Sequence, residues 1–141
     1  MTLKDLYLAL IIGFFSGWLS LPILTNLIGP IGPVSLIGLI VFGFTAAAPL
    51  ALWLVYFLSR FFQPLRQFGR FLATGTLNAF VDLGILNLLM LIIGVKTGIY
   101  FTLFKGASFV AAVTNSYIWN KFWTFENKGA VTTREILKFV L

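Results

Sequence analysis

The chain has 141 residues, of which 60% are hydrophobic and only 10% are charged, whereas about a quarter of the residues in a soluble domain carry charge. So few polar residues cannot cover the surface of a soluble fold of this size, which excludes a soluble globular enzyme, a disordered tail and a free nucleic-acid-binding domain. Cys and His are both absent, which excludes disulfides, thiol catalysis and Cys/His metal sites. The net charge of +6 therefore indicates contact with anionic lipid headgroups rather than with nucleic acid.

The sequence contains four apolar segments that are each long enough to cross a membrane, which takes about 20 residues. These predicted spans are residues 6–28, 34–59, 71–95 and 99–119. The first is too long for the core of a signal peptide, so we interpret it as a retained helix. Two turns, residues 29–33 and 96–98, and a basic linker, residues 60–70, separate the spans. The pattern predicts an all-α polytopic membrane protein with four transmembrane helices in two helix pairs.

Basic residues in the connecting segments fall almost entirely on the side of the N-terminus, and such residues face the cytoplasm. That side holds Lys4, Arg60, Arg66, Arg70, Lys121, Lys128, Arg134 and Lys138, whereas the turns on the other side hold only Lys96. We therefore predict a multi-pass protein of the plasma (inner) membrane with both its N-terminus and its C-terminus in the cytoplasm.

The third and fourth predicted spans carry polar side chains that lipid cannot solvate. Asp82 lies near the middle of its span, where an aspartate costs about 2.5–3.5 kcal/mol to insert, and Asn78 lies one turn away on the same helical face. Lys105 and Asn115 share a broad polar face of the fourth span. Because these two faces should meet, we predict that Lys105 contacts Asp82 and that the four residues form an intramembrane polar site. That site is either a polar path or ligand site, or a set of hydrogen bonds that holds the helices together.

The segment after the fourth span, residues 115–125, combines aromatic rings, amides and one Lys at the predicted cytoplasmic edge. One interpretation is an aromatic belt with a snorkelling Lys. The other is a site for the headgroup of an anionic lipid. In that site Lys121 supplies charge for a phosphate, Asn120 supplies amide donors and Trp123 supplies an apolar wall. Arg70, which opens the third span at the same level, completes the predicted site.

Three stretches resemble the GtrA-like family of small membrane proteins. They are residues 70–82 (RFLATGTLNAFVD), residues 105–109 (KGASF) and residues 115–125, which end in NKFWTF. The resemblance covers about residues 66–126, and the family usually has four spans, of which this chain resembles the first two. Residues 134–141 repeat the pattern of residues 66–73, with Arg and Phe in the same places. We therefore expect a fifth helix to begin there, in a chain that is a truncated product.

The resemblance implies a role in cell-surface polysaccharide biosynthesis. It implies either translocation of polyprenyl-phosphate-linked sugars across the membrane or the membrane part of a polyprenyl-phosphate glycosyltransferase. It also divides the chain into two regions. Residues 1–63 form an N-terminal helix pair that the resemblance does not cover, and residues 64–141 form an incomplete GtrA-like region.

Two further functions stay open. One is a non-catalytic scaffold that docks a membrane-bound glycosyltransferase, and the other is a small proton-coupled exporter with Asp82 as its titratable carboxylate. Lys105 argues against the exporter because it would hold Asp82 ionised. The sequence has no nucleophile–base pair, nucleotide-binding glycine loop or acidic metal cluster, so we expect no enzymatic activity, no cofactor and no metal. The expected partners are a polyprenyl-phosphate-linked sugar or other anionic lipid, a membrane-bound glycosyltransferase and a second copy of the chain, but no nucleic acid.

Overall fold

The computed structural model describes residues 1–125, which form four α-helices followed by a short π-helix and contain no β-strand. The helices are α1 (Leu3–Ile28), α2 (Val34–Leu58), α3 (Leu65–Ile93) and α4 (Gly98–Trp119), and the π-helical turn is Asn120–Thr124. Within this part of the chain, α1, α2 and α3 are long and apolar enough to cross a membrane. The all-α polytopic membrane fold is therefore confirmed. A membrane crossing by α4 stays a prediction, and the expected helix at residues 134–141 lies outside the described residues.

The helix α1 begins three residues earlier than predicted because its first turn is capped. The backbone N–H of Asp5 donates to Thr2 Oγ1 over 3.2 Å, and the Thr2 N–H donates to Asp5 Oδ2 over 3.0 Å. This reciprocal capping box satisfies backbone donors that a helix start otherwise leaves unpaired. The helix ends at Ile28, and the predicted turn begins at Gly29, whose φ of 94° lies in the region that favours glycine.

The predicted linker over residues 60–70 was too long, since α3 already begins at Leu65. The helix α2 ends at Leu58, upstream of Pro64, and α3 begins directly after Pro64. Proline disfavours the interior of a helix because it lacks a backbone N–H, but its fixed φ suits the start of one. Gly69 then lets α3 approach α2 closely: a Cβ at this position would lie 2.7 Å from Val55 Cγ1. Arg66 and Arg70 consequently lie on the first turns of a helix rather than in a flexible linker.

The two predicted helix pairs are present, but they are joined through α1, which packs against both α2 and α3. Glycines allow these close contacts, as expected for helices in a membrane. A Cβ on Gly13 would lie 2.4 Å from the Phe44 carbonyl oxygen, and one on Gly84 would lie 2.8 Å from the Leu19 carbonyl oxygen. Among the described helices, α4 packs against α3 alone.

The main apolar core lies near the end of the bundle where α1 and α3 begin and α2 and α4 end. We call this end the basic end, because it also holds Lys4, Arg60, Arg66 and Arg70. Its core consists of Ala9, Ile12, Leu52, Tyr56, Leu77 and Trp123. The outer faces of the helices stay apolar and exposed, with Phe42 at 71% and Ile92 at 71%. Apolar exposure on this scale suits a surface that contacts lipid.

Candidate functional site

A buried ion pair organises the basic end. Arg70 on α3 lies with its Nη2 atom 3.1 Å from Oδ1 of Asp5 on α1. The same guanidinium donates from Nε to the hydroxyl of Tyr56 over 2.9 Å, and from Nη1 to the carbonyl oxygen of Trp123 over 3.3 Å. One side chain therefore joins α1, α2, α3 and the π-helical turn.

The carboxylate of Asp5 is completely buried and fully occupied by donors. The indole N–H of Trp123 donates to Oδ1 over 3.0 Å, and the hydroxyl of Thr2 donates to Oδ2 over 2.7 Å. A buried carboxylate is stable only when charge and hydrogen bonds replace its water. Arg70, Trp123 and Thr2 provide that replacement.

The π-helical turn continues α4 and buries four of its own five side chains. The N–H of Phe125 donates to the carbonyl oxygen of Asn120 over 2.9 Å, a spacing of five residues that widens the helix. The Asn120 amide donates to Ser116 Oγ over 3.2 Å, and the Lys121 ammonium lies 3.2 Å from the Tyr117 hydroxyl. Asn120 and Lys121 are each only 7% exposed.

The structure thus brings all four residues of the predicted headgroup site to one end of the bundle, with Arg70 in direct contact with Trp123. They do not form an open surface. The Trp123 ring is 2% exposed and faces Asp5, so it is part of the core instead of a wall for an isoprenoid chain. Asn120 and Lys121 support the π-helical turn from within.

An open groove lies beside these buried residues, between the start of α3 and the π-helical turn. It has two adjoining compartments, of about 420 Å³ and about 310 Å³. Both compartments share Pro64, Gln67, Thr124 and Phe125; the larger adds Gln63, Arg66 and Arg70, and the smaller adds Phe68 and Phe71. We call this feature the interfacial groove. One half offers guanidinium and amide groups and the other offers aromatic rings, at a volume typical of ligand sites.

Thr124, which lines the interfacial groove, has a buried hydroxyl with no partner among the described residues. Its side chain is 4% exposed, and its Oγ1 atom bonds to no other described atom. A buried hydroxyl without a partner costs about 1–3 kcal/mol.

The predicted contact between Asp82 and Lys105 is present. The Lys105 ammonium forms an ion pair with Asp82 Oδ2, and the hydroxyl of the fully buried Ser108 donates to Asp82 Oδ1 over 2.7 Å. The pair joins α3 to α4 within the apolar length of the bundle. Its side chains are partly exposed, at 42% for Lys105 and 23% for Asp82.

The two asparagines of the predicted intramembrane site lie between this ion pair and the basic end, but they are not hydrogen-bonded to each other. Asn78 Oδ1 and Asn115 Nδ2 are buried atoms without a partner among the described residues, and so is Oγ1 of Thr74 on the same face of α3. We call the contact between α3 and α4 that these residues line the polar seam. In hydrocarbon, unpaired groups of this kind are expensive unless water or a polar ligand reaches them.

Two groups of contacts were missed by the sequence analysis. Asp5 and Tyr56 were not assigned to a site, although the Thr2–Asp5 capping spacing was visible. Asn26 on α1 donates its amide to both the carbonyl oxygen and the side-chain oxygen of Asn87 on α3, each over 3.0 Å. That contact fixes α1 to α3 at the end opposite the basic end, and nothing in the sequence pairs the single Asn of α1 with Asn87 instead of with Asn78 on the same helix.

Comparison with known proteins places the second part of the chain in a family. Residues 70–141, just over half of the chain, match the family described as "GtrA/DPMS, transmembrane domain". The chain belongs to the GtrA/DPMS family. The match begins at Arg70 and continues to Leu141, whereas the sequence resemblance was expected to end near residue 126.

One relative of this GtrA/DPMS chain is the "Uncharacterized membrane protein YngA" of Bacillus subtilis (strain 168). The two are 29% identical over 79 residues, which make up 56% of this chain and 50% of the relative. The chain thus spans about half the length of the relative that it matches. No solved structure matches the chain.

Of the two residues in the buried ion pair, one lies inside the family match and the other lies outside it. Arg70 is the first residue of the GtrA/DPMS match, and Trp123 lies within it, as does the pair of Asp82 and Lys105. Asp5 and Tyr56 lie outside it. The N-terminal helices α1 and α2 therefore supply the carboxylate and the hydroxyl that hold the first residue of the GtrA/DPMS region.

Proposed function

We propose that this GtrA/DPMS protein acts in cell-surface polysaccharide biosynthesis and translocates polyprenyl-phosphate-linked sugars across the plasma membrane. The observation that carries the proposal is the interfacial groove, whose polar half contains Arg66 and Arg70 and whose apolar half contains Phe68 and Phe71. A polyprenyl phosphate has the same two halves, an anionic headgroup and an apolar chain.

The polar half suits a phosphate because guanidinium groups bind phosphate oxygens through paired hydrogen bonds. Arg70 keeps 14% of its side chain exposed, and Gln67 and Thr124 add polar groups beside it. The first isoprene units would then pack against Phe68 and Phe71. In the bound state, phosphate competes with Asp5 for the Arg70 guanidinium.

The polar seam favours translocation over a pure scaffold. With the adjoining ion pair it runs from Thr74 to Asp82, which at a rise of about 1.5 Å per residue is about 12 Å of a hydrocarbon core about 30 Å thick. Its unpaired amide and hydroxyl groups are chemically suited to sugar hydroxyls. A proton-coupled exporter has less support, because Lys105 and Ser108 already occupy both carboxylate oxygens of Asp82.

Lipid binding tests the groove directly. The full chain in nanodiscs is offered undecaprenyl phosphate and phosphatidylglycerol at equal charge, and the retained lipid is measured by native mass spectrometry. We expect the wild type to prefer undecaprenyl phosphate. Asp5→Asn should strengthen that preference by removing the carboxylate that competes with phosphate for Arg70, whereas the double variant Asp5→Asn, Arg70→Gln should lose it without leaving a buried charge unpaired.

The matched control is Arg60→Gln, which removes the same charge at the same end from a residue that does not line the interfacial groove. It should retain as much undecaprenyl phosphate as the wild type. Equal retention of undecaprenyl phosphate by the wild type and by the double variant Asp5→Asn, Arg70→Gln would contradict the headgroup site. Translocation itself is measured in proteoliposomes with a fluorescent polyprenyl-phosphate hexose and an outside quencher, and a scaffold would leave the quenched fraction unchanged.

The proposal also places the basic end in the cytoplasm. In this cysteine-free chain, Lys96→Cys should react with an impermeant maleimide added to intact cells, while Lys4→Cys should react only after the cells are opened. Labelling of Lys4→Cys from outside would reverse the orientation and the direction of transport with it.

A further inference from the structure

A second cleft lies at the basic end, on the side of α2, and no residue of it belongs to the family match. It has a volume of about 320 Å³ and is lined by Met1, Trp53, Tyr56, Phe57, Ser59, Arg60, Gln63 and Arg66. We call it the α2 cleft. Arg66 borders both this cleft and the interfacial groove, whereas Arg60 borders only the α2 cleft.

The two arginines of the α2 cleft have no acidic partner among residues 1–125. Neither forms an ion pair or a side-chain hydrogen bond there; each instead stacks on a neighbouring ring. The Arg60 guanidinium lies 5.2 Å from the centre of the Phe57 ring, and that of Arg66 lies 5.0 Å from the centre of the Tyr56 ring. Stacking orients a guanidinium through its face and leaves the N–H groups at its edge available.

Arg70 differs from Arg60 and Arg66 because its guanidinium has described acceptors. It is only a few residues away in sequence, but a carboxylate, a hydroxyl and a carbonyl oxygen already accept from it. Arg60 and Arg66 have comparable donor capacity with no acceptor in the described chain. Two oriented guanidinium groups at one cleft form a site for an oxyanion that accepts paired hydrogen bonds, and a phosphate fits such a site best.

We propose that the α2 cleft binds the phosphate of an anionic membrane phospholipid such as phosphatidylglycerol. The lipid source follows from the walls of the cleft. Trp53 and Phe57 stack with ring centres 6.0 Å apart and stay 56% and 43% exposed on the outer face of α2. An acyl chain attached to the bound phosphate would lie along these rings, and a soluble phosphate would gain nothing from them.

The alternative is a diffuse collar, in which basic residues attract anionic lipid through charge alone. Arginine-to-lysine variants separate the two. A lysine preserves the charge but has neither the planar fork nor the stacking geometry. A collar therefore tolerates the exchange, whereas a built site does not.

The experiment measures phosphatidylglycerol retained by the full chain, purified from mixed nanodiscs, by native mass spectrometry. We expect Arg60→Lys to lower retention several-fold, and the pair Arg60→Lys, Arg66→Lys to lower it by about tenfold or more, because charge-assisted hydrogen bonds are lost. Lys4→Gln removes one charge at the same end outside the cleft and should leave retention unchanged.

Wild-type retention in both lysine variants would overturn the proposal in favour of the collar. In a competition experiment, inorganic phosphate is added at millimolar concentration. Displacement of the lipid by this soluble competitor would overturn the assignment of the site to a lipid. Circular dichroism checks the fold, and Arg60→Lys alone keeps the test valid if the double variant unfolds, since Arg60 is exposed and contacts only a neighbouring ring.

This inference is separable from the translocation proposal. Arg60→Lys should not change the amount of undecaprenyl phosphate retained, and Asp5→Asn, Arg70→Gln should not change retention of phosphatidylglycerol at the α2 cleft. If both variants impair both lipids, the two clefts act as one site and the separate α2 cleft is wrong.

Discussion

The two ion pairs of the bundle have the same chemistry and opposite surroundings. Asp5 is fully buried, and Arg70, Trp123 and Thr2 all donate to it. Among the described residues, Asp82 accepts only from Lys105 and Ser108, and it keeps 23% of its side chain exposed. In the first pair the carboxylate is fully buried and only Arg70 reaches the surface, at the interfacial groove, whereas in the second pair both side chains are partly exposed.

The helices that each pair joins differ in the same way. Asp5 and Arg70 connect α1 to α3, which also pack through close contacts at Gly84, while Tyr56 adds α2. Asp82 and Lys105 connect α3 to α4, and α4 has no other helix to hold it in the described part of the chain. The contrast separates an anchor that holds three helices at the basic end from a seam that joins two.

The largest effect should come from breaking the anchor. Arg70→Gln leaves the Asp5 carboxylate buried without its cation, which should cost about 3–5 kcal/mol of folding free energy. Thermal unfolding in detergent measures the loss. Adding Asp5→Asn should restore much of the stability, because no charge is then stranded; a double variant as unstable as Arg70→Gln would contradict the anchor.

A smaller loss should follow from removing one donor of the anchor. Trp123→Phe keeps a ring in the core but deletes the N–H that donates to Asp5, at an expected cost of about 1–3 kcal/mol. Trp119→Phe is the matched control, since its ring lies 5.8 Å from that of Trp123 and its N–H bonds to no described residue. Equal losses in the two variants would mean that ring size, not the hydrogen bond, matters.

The exposed pair should be weaker. In a double-mutant cycle with Asp82→Asn and Lys105→Met, we expect a coupling of about 0.5–1 kcal/mol, at the low end for residues in contact, because polar contacts between membrane helices average about 0.6 kcal/mol in such cycles. The same unfolding measurement provides it. A coupling as large as that between Asp5 and Arg70 would erase the distinction between the two pairs.

The smallest effect tests whether the polar seam serves transport more than stability. Ser108→Ala removes one hydrogen bond to Asp82 and should change stability by about 1 kcal/mol or less. If the seam carries sugar, transport of the labelled lipid should fall by more than this loss explains. Unchanged transport would remove Ser108 from the path.

Local and periodic features were predictable from the sequence. The apolar runs gave all four helices, and the helical spacing of the polar residues on α3 and α4 was enough to pair Asp82 with Lys105. Both inferences depend on distances within one helix or between neighbouring helices. The resemblance to the GtrA-like family was visible for the same reason, since its motifs are short and contiguous.

Long-range contacts were not predictable. The bond between Asp5 and Trp123 joins residues 118 positions apart, and only the packing of α1 against α3 brings them together. Burial of Lys121 and Trp123 depends on the π-helical turn, which no residue of the segment signals. These two features convert the expected open headgroup site into a buried anchor beside a groove.

The isolation of α4 has a consequence for how the protein enters the membrane. Unlike α1, α2 and α3, this helix contains no continuous stretch that is apolar enough to qualify as a membrane span, and it carries Lys105, whose charge opposes insertion as a single segment. Its countercharge is on α3, the helix synthesised immediately before it. We expect α3 and α4 to leave the translocon together as a hairpin, so that Asp82 assists the biogenesis of the helix that it later holds.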